Sequence, residues 1–184
     1  MAKFNKWEKT GKRVSVLGGP IANPKKITAT RLGAVCGLNR WKTPFQAWCE
    51  ITRVAEPPFE GNKYTLTGQV VEPRLNEFCK EFISPNLKTP EEYYDKPLGF
   101  VWDFFPDQPV FGGKWDALVT NRKGDKNIGI VEYKTTSRAQ DWLVSPPDYY
   151  AIQALAYGAW EGLDDVWLVP AFLEQDDYVD PADY

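Results

Sequence analysis

Two carboxylates and a lysine occur in short segments that read as neighbouring strands. Asp116 lies in Gly-Gly-Lys-Trp-Asp-Ala-Leu-Val, and Glu132 and Lys134 lie in Ile-Val-Glu-Tyr-Lys-Thr-Thr. Because side chains alternate between the two faces of a strand, we expect Glu132 and Lys134 to project from the same side. Two carboxylates and an ammonium can hold a divalent metal beside a phosphodiester and activate a water. The pattern therefore indicates a metal-dependent nuclease site.

The ligand types favour a hard cation. Mg²⁺ and Mn²⁺ prefer oxygen ligands, so Asp116, Glu132 and the backbone carbonyl of Tyr133 are candidate metal ligands. Lys134 would orient the water and stabilise the charge that develops on phosphorus. A Glu-x-Lys alternation also occurs on solvated strand faces, and for these residues alone that alternative stays open.

Gln153 and Tyr157 are spaced four residues apart in a segment with helical periodicity. Residues with this spacing lie on one face of a helix, so an amide and a phenol would face the same neighbour. We expect this helix to pack over the carboxylates, with Tyr157 supporting the site.

The chain contains no histidine, which excludes Ser-His-Asp and Cys-His sites and histidine-bound zinc. Its three cysteines show no C-x-x-C spacing and lack the fourth thiolate of an iron–sulfur cluster, so we expect free thiols. Hydrolysis would therefore depend on carboxylates, lysine, tyrosine or metal-bound water.

The charges of the chain are distributed unevenly. Residues 1–42 carry ten Lys or Arg against one acid, whereas residues 141–184 carry ten acids and no base. This asymmetry favours a polyanionic partner such as DNA on one face, although a solvated basic tail is the alternative for residues 1–13. We see no apolar run long enough for a membrane span and no signal peptide, so we expect no membrane partner and a cytoplasmic location.

Periodicity predicts an α/β fold with a central mixed β-sheet flanked by α-helices. We expect a basic, irregular segment over 1–26, one folded domain over 27–173 and an acidic tail over 174–184. The expected helices cover 28–38, 43–55, 67–82 and 148–161, and Pro73 leaves a later start near Glu72 open for the third. The expected strands lie near 98–104, 109–120, 128–135 and 166–173, with a loop over 84–97.

The motif Asp116 followed by Glu132-Tyr133-Lys134 resembles that of the PD-(D/E)XK nucleases. Within that superfamily the chain is most similar to phage-type recombination exonucleases, the lambda exonuclease or YqaJ group, with RecB-type nuclease domains close behind. Three further motifs support the resemblance: the segment 27–33, Gly68-Gln-Val-Val-Glu-Pro73 and Gln153-x-x-x-Tyr157. The resemblance covers about residues 27–160 and implies a restriction-endonuclease-like core and Mg²⁺-dependent DNA hydrolysis, with Mn²⁺ as a substitute.

The resemblance assigns roles to individual residues. It implies that Glu72 joins Asp116 and Glu132 as a third carboxylate, bound to the metal directly or through water. It makes Lys134 the catalytic lysine and Gln153 the amide that orders the site. Thr30 matches a hydroxyl that helps to bind a terminal 5′-phosphate. The candidate charge partners of that phosphate, chosen on charge alone, are Arg31, Lys25 and Lys26, and Arg31 is preferred because guanidinium pairs with phosphate in a bidentate manner.

The predicted activity is a 5′ to 3′ DNA exonuclease acting on double-stranded ends in phage-type recombination or repair, in a bacterial host cell. An endonuclease, a nuclease module of a larger repair or defence complex, and a non-catalytic DNA-binding module stay open. Besides DNA, a single-strand annealing protein and further copies of the chain are candidate partners.

The roles of Asp103 and of the tryptophans are less specific. We expect Asp103 to mark the end of a strand, with a role as an extra metal ligand as the alternative. Trp7 and Trp142 are expected to pack, with stacking on unpaired bases as the alternative. The tryptophans expected in the core are Trp41, Trp48, Trp102, Trp115 and Trp160.

Overall fold

The structure is a computed structural model that describes residues 25–55, 63–99 and 101–178. In these residues the chain forms the α-helices α1 (Ala29–Val35), α2 (Pro44–Ile51), α3 (Lys63–Phe82), α4 (Pro90–Tyr94) and α5 (Asp148–Glu161). The strands are β1 (Ile27–Thr28), β2 (Leu87–Lys88), β3 (Phe111–Gly112), β4 (Ala117–Thr120), β5 (Asn127–Thr136) and β6 (Asp165–Phe172). Short 3₁₀ helices cover Ala139–Trp142 and Asp176–Tyr178.

A mixed sheet of four strands organises the fold in the order β2-β4-β5-β6. The β2/β4 and β4/β5 pairs are antiparallel, and β5 and β6 are parallel because α5 carries the chain back between them. The outer strand β6 contains Pro170, which is paired with Lys134 of β5. The short strands β1 and β3 pair in parallel beside this sheet. The predicted α/β class with a mixed sheet and flanking helices is confirmed.

Apolar side chains cover both faces of the sheet. On one face, Leu118 and Ile130 pack with Tyr157 of α5 and Ala29 of α1. On the other face, the buried partners are Val119, Val131 and Tyr133 from the sheet, together with Cys79 of α3. Since Glu132 and Lys134 share the alternation of Ile130, they belong to the face covered by α5.

Several helix ends follow from local sequence. Thr43 and Thr89 each accept a hydrogen bond from the backbone three residues later and form capping boxes with Gln46 and Glu92. Gly162 ends α5 with a φ of 68°, a left-handed conformation that glycine adopts without strain. The helix predicted over 148–161 has these bounds in the structure.

The third helix ends at Phe82 as predicted but begins earlier, one predicted strand is absent, and another is divided in two. Helix α3 begins at Lys63 and continues through Pro73, which removes one backbone donor while Val71 and Cys79 keep the helix packed. Residues 98–99 and 101–104 form no strand, whereas β2 and α4 lie in the segment expected to be a loop. The strand predicted over 109–120 is interrupted between β3 and β4, where Gly113 has a φ of 139°.

The tryptophan predictions were partly wrong. Trp115 is fully buried and Trp160 packs against the same cluster, as expected. Trp142 stacks on Tyr150, which agrees with packing. Trp41, Trp48 and Trp102 are exposed instead, by 61%, 41% and 55%. Trp41 and Trp102 lie outside the helices and strands. Trp7 lies outside the described residues.

The packed structure extends into both predicted terminal segments. Lys25 donates its backbone N–H to the Ile51 carbonyl at 2.7 Å, so the fold includes the last residues of the predicted basic segment. Tyr178 is 4% exposed and packs with Val71, Ala171 and Leu173, so one residue of the predicted acidic tail belongs to the core. Residues 1–24 and 179–184 lie outside the described residues.

Candidate active site

The carboxylate of Asp116 lies where β4 meets β5. Asp116 immediately precedes β4, and its Oδ2 accepts the backbone N–H of Tyr133 at 2.8 Å. This bond satisfies a β5 donor just beyond the end of the β4/β5 ladder, where Ala117 pairs with Val131. The chain therefore fixes Asp116 next to the Glu132-Tyr133-Lys134 segment, as the spacing predicted.

Glu132 is fully buried beneath α5. Its Oε2 accepts a hydrogen bond from Gln153 Nε2 at 2.8 Å and one from Lys134 Nζ at 3.1 Å. Its Oε1 is buried without a hydrogen-bond partner. A buried carboxylate oxygen without a partner costs free energy, and such groups in native structures call for an explanation. Glu132 therefore keeps one oxygen available for a ligand.

Lys134 is the cation of this cluster. Its Nζ donates to Glu132 and, at 2.8 Å, to the carbonyl of Tyr133, the backbone oxygen predicted as a metal ligand. Burial disfavours the ammonium, but the charges of Glu132 and Asp116 outweigh it and hold the pKa of Lys134 above its ordinary value. Lys134 is therefore protonated at neutral pH.

Helix α3 closes the other side of the site. A cavity of about 150 Å³ is lined by Gly68 and Glu72 of α3 and by Asp116 and Lys134 from the sheet. The side chain of Glu72 remains accessible to solvent, yet the surrounding protein and the charge of Asp116 raise its pKa to about 7. The predicted third carboxylate thus faces the same cavity as Asp116.

The carboxylates repel one another in a region shielded from water. Burial, followed by the charge of Asp116, raises the pKa of Glu132 to about 8, although Lys134 opposes the shift. Burial also raises the pKa of Asp116, against the opposing effects of Lys134 and the Tyr133 N–H. A bound cation would relieve this repulsion, since it favours the charged form of each carboxylate.

Tyr157 connects the carboxylates to the first helix. Its side chain is 1% exposed and its ring approaches Gly113, where a larger residue would collide with the phenol. Burial and the charges of Glu132 and Asp116 raise the pKa of Tyr157, while hydrogen bonds to the Lys114 backbone and to Thr30 oppose the shift. The hydroxyl of Thr30 is therefore tied to the site through Tyr157.

The predicted phosphate-binding cations differ in their surroundings. Arg31 Nη1 is 3.4 Å from Thr28 Oγ1, and its Nε is 3.9 Å from Glu50 Oε2. Burial and the charge of Arg31 lower the pKa of Lys25. Lys26 is held by Asp103 at 2.6 Å and by the Phe105 carbonyl at 2.8 Å. Their roles in phosphate binding stay predictions.

Asp103 has a structural environment. Its carboxylate accepts the Lys26 ammonium and the backbone N–H groups of Phe105 and Gly113, at 2.9 Å and 3.3 Å for the latter two. These bonds, led by that to Lys26 against the effect of burial, lower its pKa. Asp103 is therefore saturated with protein donors and is not a candidate metal ligand; the strand end expected there is absent.

Lys114 is a site residue that the sequence analysis missed. Its charge lowers the pKa of both Glu72 and Asp116, although burial outweighs it, and its Nζ lies 3.8 Å from Glu91 Oε1. The available signal was its spacing, since a residue two positions before Asp116 in an extended segment projects to the same side. The cavity therefore has a second lysine nearby.

The donor set fits a hard divalent cation. Among the residues that the structure describes, no three Asp, Glu or Cys side chains form a compact metal-binding group by themselves. Mg²⁺ commonly uses one or two carboxylates and keeps waters and substrate phosphate as its other ligands. Asp116 and the unpartnered oxygen of Glu132 match that requirement, and Glu72 is placed to act through water.

Comparison with known proteins identifies the family. The model of the YqaJ-like viral recombinase domain matches residues 21–162. The chain belongs to this family, which comprises phage exonucleases of the PD-(D/E)XK type.

Two curated relatives come from mycoplasmas. The uncharacterised MG373 homologue of Mycoplasma pneumoniae is 33% identical over 117 residues, which are 61% of this chain and 40% of that protein. The uncharacterised protein MG373 of Mycoplasma genitalium is 30% identical over 118 residues, again 61% of this chain and 40% of the relative. The matched part of the chain thus spans about 40% of the length of these relatives. No solved structure matches the chain significantly.

None of the helices in the described ranges 25–55, 63–99 and 101–178 has the length and apolarity needed to cross a membrane.

Proposed function

We propose that this chain is a metal-dependent exonuclease that hydrolyses DNA from double-stranded ends in the 5′ to 3′ direction. The observation that carries the proposal is the state of Glu132, a fully buried carboxylate with one oxygen lacking a partner and the other held by Lys134 and Gln153. A side chain with a purely structural role would have both oxygens satisfied. The unpartnered oxygen is what a metal site requires.

Mg²⁺ is the proposed cofactor, and Mn²⁺ would substitute for it. Asp116 and Glu132 would hold the cation, with the Tyr133 carbonyl and Glu72 as further ligands. When bound, it would lower the pKa of a water and offset charge on the scissile phosphate.

The protein side chains have separate roles in this proposal. Gln153 holds Glu132 in the orientation in which its second oxygen is free. Lys134, protonated beside the cavity, stabilises the negative charge that develops on the phosphoryl oxygens. Lys114 adds positive potential near the cavity and attracts the DNA backbone.

The proposed 5′ to 3′ direction of digestion rests on Thr30, in the first turn of α1. Thr30 is exposed to solvent at the N-terminal end of the helix and is hydrogen-bonded to Tyr157 of the site, which suits a hydroxyl that contacts a terminal 5′-phosphate. Arg31 is its proposed charge partner. We place the reaction in phage-type recombination or repair in the bacterial cytoplasm. A single-strand annealing protein and further copies of the chain are the proposed partners.

Digestion of three forms of one DNA tests the proposal. Linear 5′-phosphorylated, linear dephosphorylated and covalently closed circular molecules are incubated with Mg²⁺, and EDTA serves as the control. We expect mononucleotide release from the phosphorylated linear form, slower release after dephosphorylation and no cutting of circles. Cutting of circles would contradict the exonuclease proposal, and equal rates on both linear forms would contradict the role of Thr30 and Arg31.

A second candidate is the nuclease module of a larger repair or defence assembly. It is favoured by the length of the curated relatives, of which the matched region covers 40%. In that case the isolated chain would cut closed circles or act on DNA without regard to ends.

A further inference from the structure

An aromatic surface begins at the active-site lysine. The ring centroid of Tyr150 lies 5.8 Å from Lys134 Nζ. Tyr149 follows with its ring 4.3 Å from that of Tyr150, and Trp41 lies 5.3 Å from Tyr149 in an edge-to-face arrangement. We call Tyr150, Tyr149 and Trp41 the aromatic track. It connects the partly buried Lys134 with a tryptophan that is 61% exposed.

Trp41 is held in one orientation despite its exposure. The side chain of Asn39 accepts the backbone N–H groups of Trp41 at 2.8 Å and of Lys42 at 3.2 Å, which fixes the loop after α1. The ring contacts Tyr149 at an interplanar angle of 81°. An indole positioned in this way loses little conformational entropy when a ligand stacks on it.

Two arginines make the track cationic. Arg40 Nη2 and Arg138 Nε bind the same carboxylate oxygen of Asp141, at 2.6 Å and 2.7 Å. Two guanidinium groups thus share one carboxylate, which leaves a net positive charge in this group. The Arg40 guanidinium also lies 5.0 Å from the centre of the Trp41 ring. Each guanidinium has five N–H donors, more than these contacts use, so both can still bind phosphate.

We propose that the aromatic track, together with Arg40 and Arg138, binds a stretch of unpaired DNA that leads into the active site. Aromatic rings bordered by cations are the combination that recognises single strands, because bases stack on the rings and phosphates pair with the cations. Trp41 stacks one base, and the two arginines contact the adjoining backbone. The inference rests on the proposed nuclease function, since it defines the form in which the substrate approaches that same site.

Binding without catalysis tests the inference. Fluorescence anisotropy in EDTA measures the affinity of the full chain for a labelled 12-nucleotide single strand and for a blunt hairpin duplex. We expect Trp41→Ala to weaken single-strand binding by about 5- to 150-fold, the loss of one base–aromatic stack, and to change duplex binding by less than about twofold. Trp41→Phe should restore much of the affinity, and thermal melting verifies that each variant is folded.

Phe82→Ala is the matched control variant. Phe82 is an exposed aromatic residue, 65% accessible, at the end of α3 and outside the track. Its removal should leave both affinities unchanged. An equal loss in Trp41→Ala and Phe82→Ala, or an equal loss on single strand and duplex, would overturn the proposal.

An abasic oligonucleotide separates stacking from charge. It keeps the phosphates but offers no base, so Trp41→Ala should no longer matter, whereas Arg40→Gln should still weaken binding and lower the salt dependence. A Trp41 effect that persists on the abasic strand would contradict stacking. If none of the variants in the aromatic track changes DNA binding, the inference is overturned, and a protein partner would be the alternative ligand of this surface.

The two proposals fail in different ways. Wild-type protein that binds single strands through Trp41 but releases no nucleotide with Mg²⁺ would leave this inference standing and refute the nuclease function. If the wild-type protein cleaves DNA with Mg²⁺ and Trp41→Ala binds single strands as tightly as wild type, the nuclease function would stand and this inference would be refuted.

Discussion

Asp103 and Glu132 are two carboxylates in the same fold with opposite surroundings. Asp103 accepts one ammonium and two backbone N–H groups, and its pKa is lowered by these bonds. Glu132 is more deeply buried, has one oxygen without a partner and has a pKa raised to about 8 by burial and by Asp116. Hydrogen-bond donors on both oxygens, more than burial or acidity, distinguish a carboxylate that stabilises the fold from one with an oxygen free for a ligand.

Loss of the Glu132 charge should have the largest effect. We expect Glu132→Gln to reduce Mg²⁺-dependent DNA cleavage by at least about 10³-fold, because the metal loses an anionic ligand. At pH 5, where native Glu132 is itself protonated, the free energy of unfolding without metal should change by less than about 1 kcal/mol, because the amide replaces a neutral carboxyl of nearly the same shape. Initial rates measure cleavage, and denaturant titrations measure the free energy of unfolding. A less stable variant that still cleaves DNA would give Glu132 the structural role that we assign to Asp103.

Asp103→Asn should show the converse pattern. The amide cannot pair with the Lys26 charge, so we expect a loss of about 2 kcal/mol in the free energy of unfolding. Cleavage at 20 °C, well below melting, should stay within about threefold of wild type because the residue holds no metal. Urea titration and initial rates provide the measurements, and a thousandfold loss of cleavage in the folded variant would contradict the structural role.

The pH dependence of stability should have opposite signs for the two groups. Between its ordinary pKa of 4.5 and its folded value of about 8, Glu132 holds a proton in the native state that the unfolded chain has released. The contribution of Glu132 to the stability of the metal-free protein should therefore fall as pH rises from 5 to 8, by roughly 1 kcal/mol per unit. Glu72 and Asp116, whose pKa values are also raised, add declines of their own.

Asp103 has a lowered folded pKa, so its contribution is present above its unfolded pKa and is lost as pH falls below it. Denaturant titrations in EDTA across this range should show a slope that Glu132→Gln flattens and Asp103→Asn leaves unchanged. Added Mg²⁺ should oppose the decline, because the cation binds the ionised carboxylates. A slope that is unaffected by Glu132→Gln would refute this account.

Tyr157→Phe should have the smallest effect. It removes the hydroxyl that bonds Thr30 and the Lys114 backbone, so we expect a loss of about 1 kcal/mol in stability and a several-fold lower preference for 5′-phosphorylated ends. Tyr93→Phe is the matched control, since that hydroxyl bonds Asn127 on the surface at 3.0 Å. Competition between phosphorylated and dephosphorylated ends measures the preference, and equal changes in both variants would exclude a specific role for Tyr157.

The sequence was informative where the signal was local and periodic. Strand alternation predicted that Glu132 and Lys134 share a face, and their hydrogen bond agrees with it. Helical spacing predicted α5 with its bounds and directed Gln153 at the carboxylates.

The features that the sequence did not predict depend on contacts between segments that are distant along the chain. Lys26 and Asp103 are 77 residues apart, and no local pattern indicates that they pair. Residues 101–104 have strand-like composition but pair with none of the described strands, whereas Leu87–Lys88 form a strand because β4 lies beside them. Trp41 looked like a core residue by type, and its exposure follows from the path of the loop.

Pro170 limits how copies of this chain can join. Proline is tolerated in an outer strand when its missing N–H points away from the neighbouring strand. The side of β6 with which none of the described strands pairs therefore lacks one donor that an added strand would need. The edge is thereby protected against continuation of the sheet from one molecule to the next. Self-assembly or binding of a protein partner would then use contacts between side chains, without a shared backbone ladder at β6.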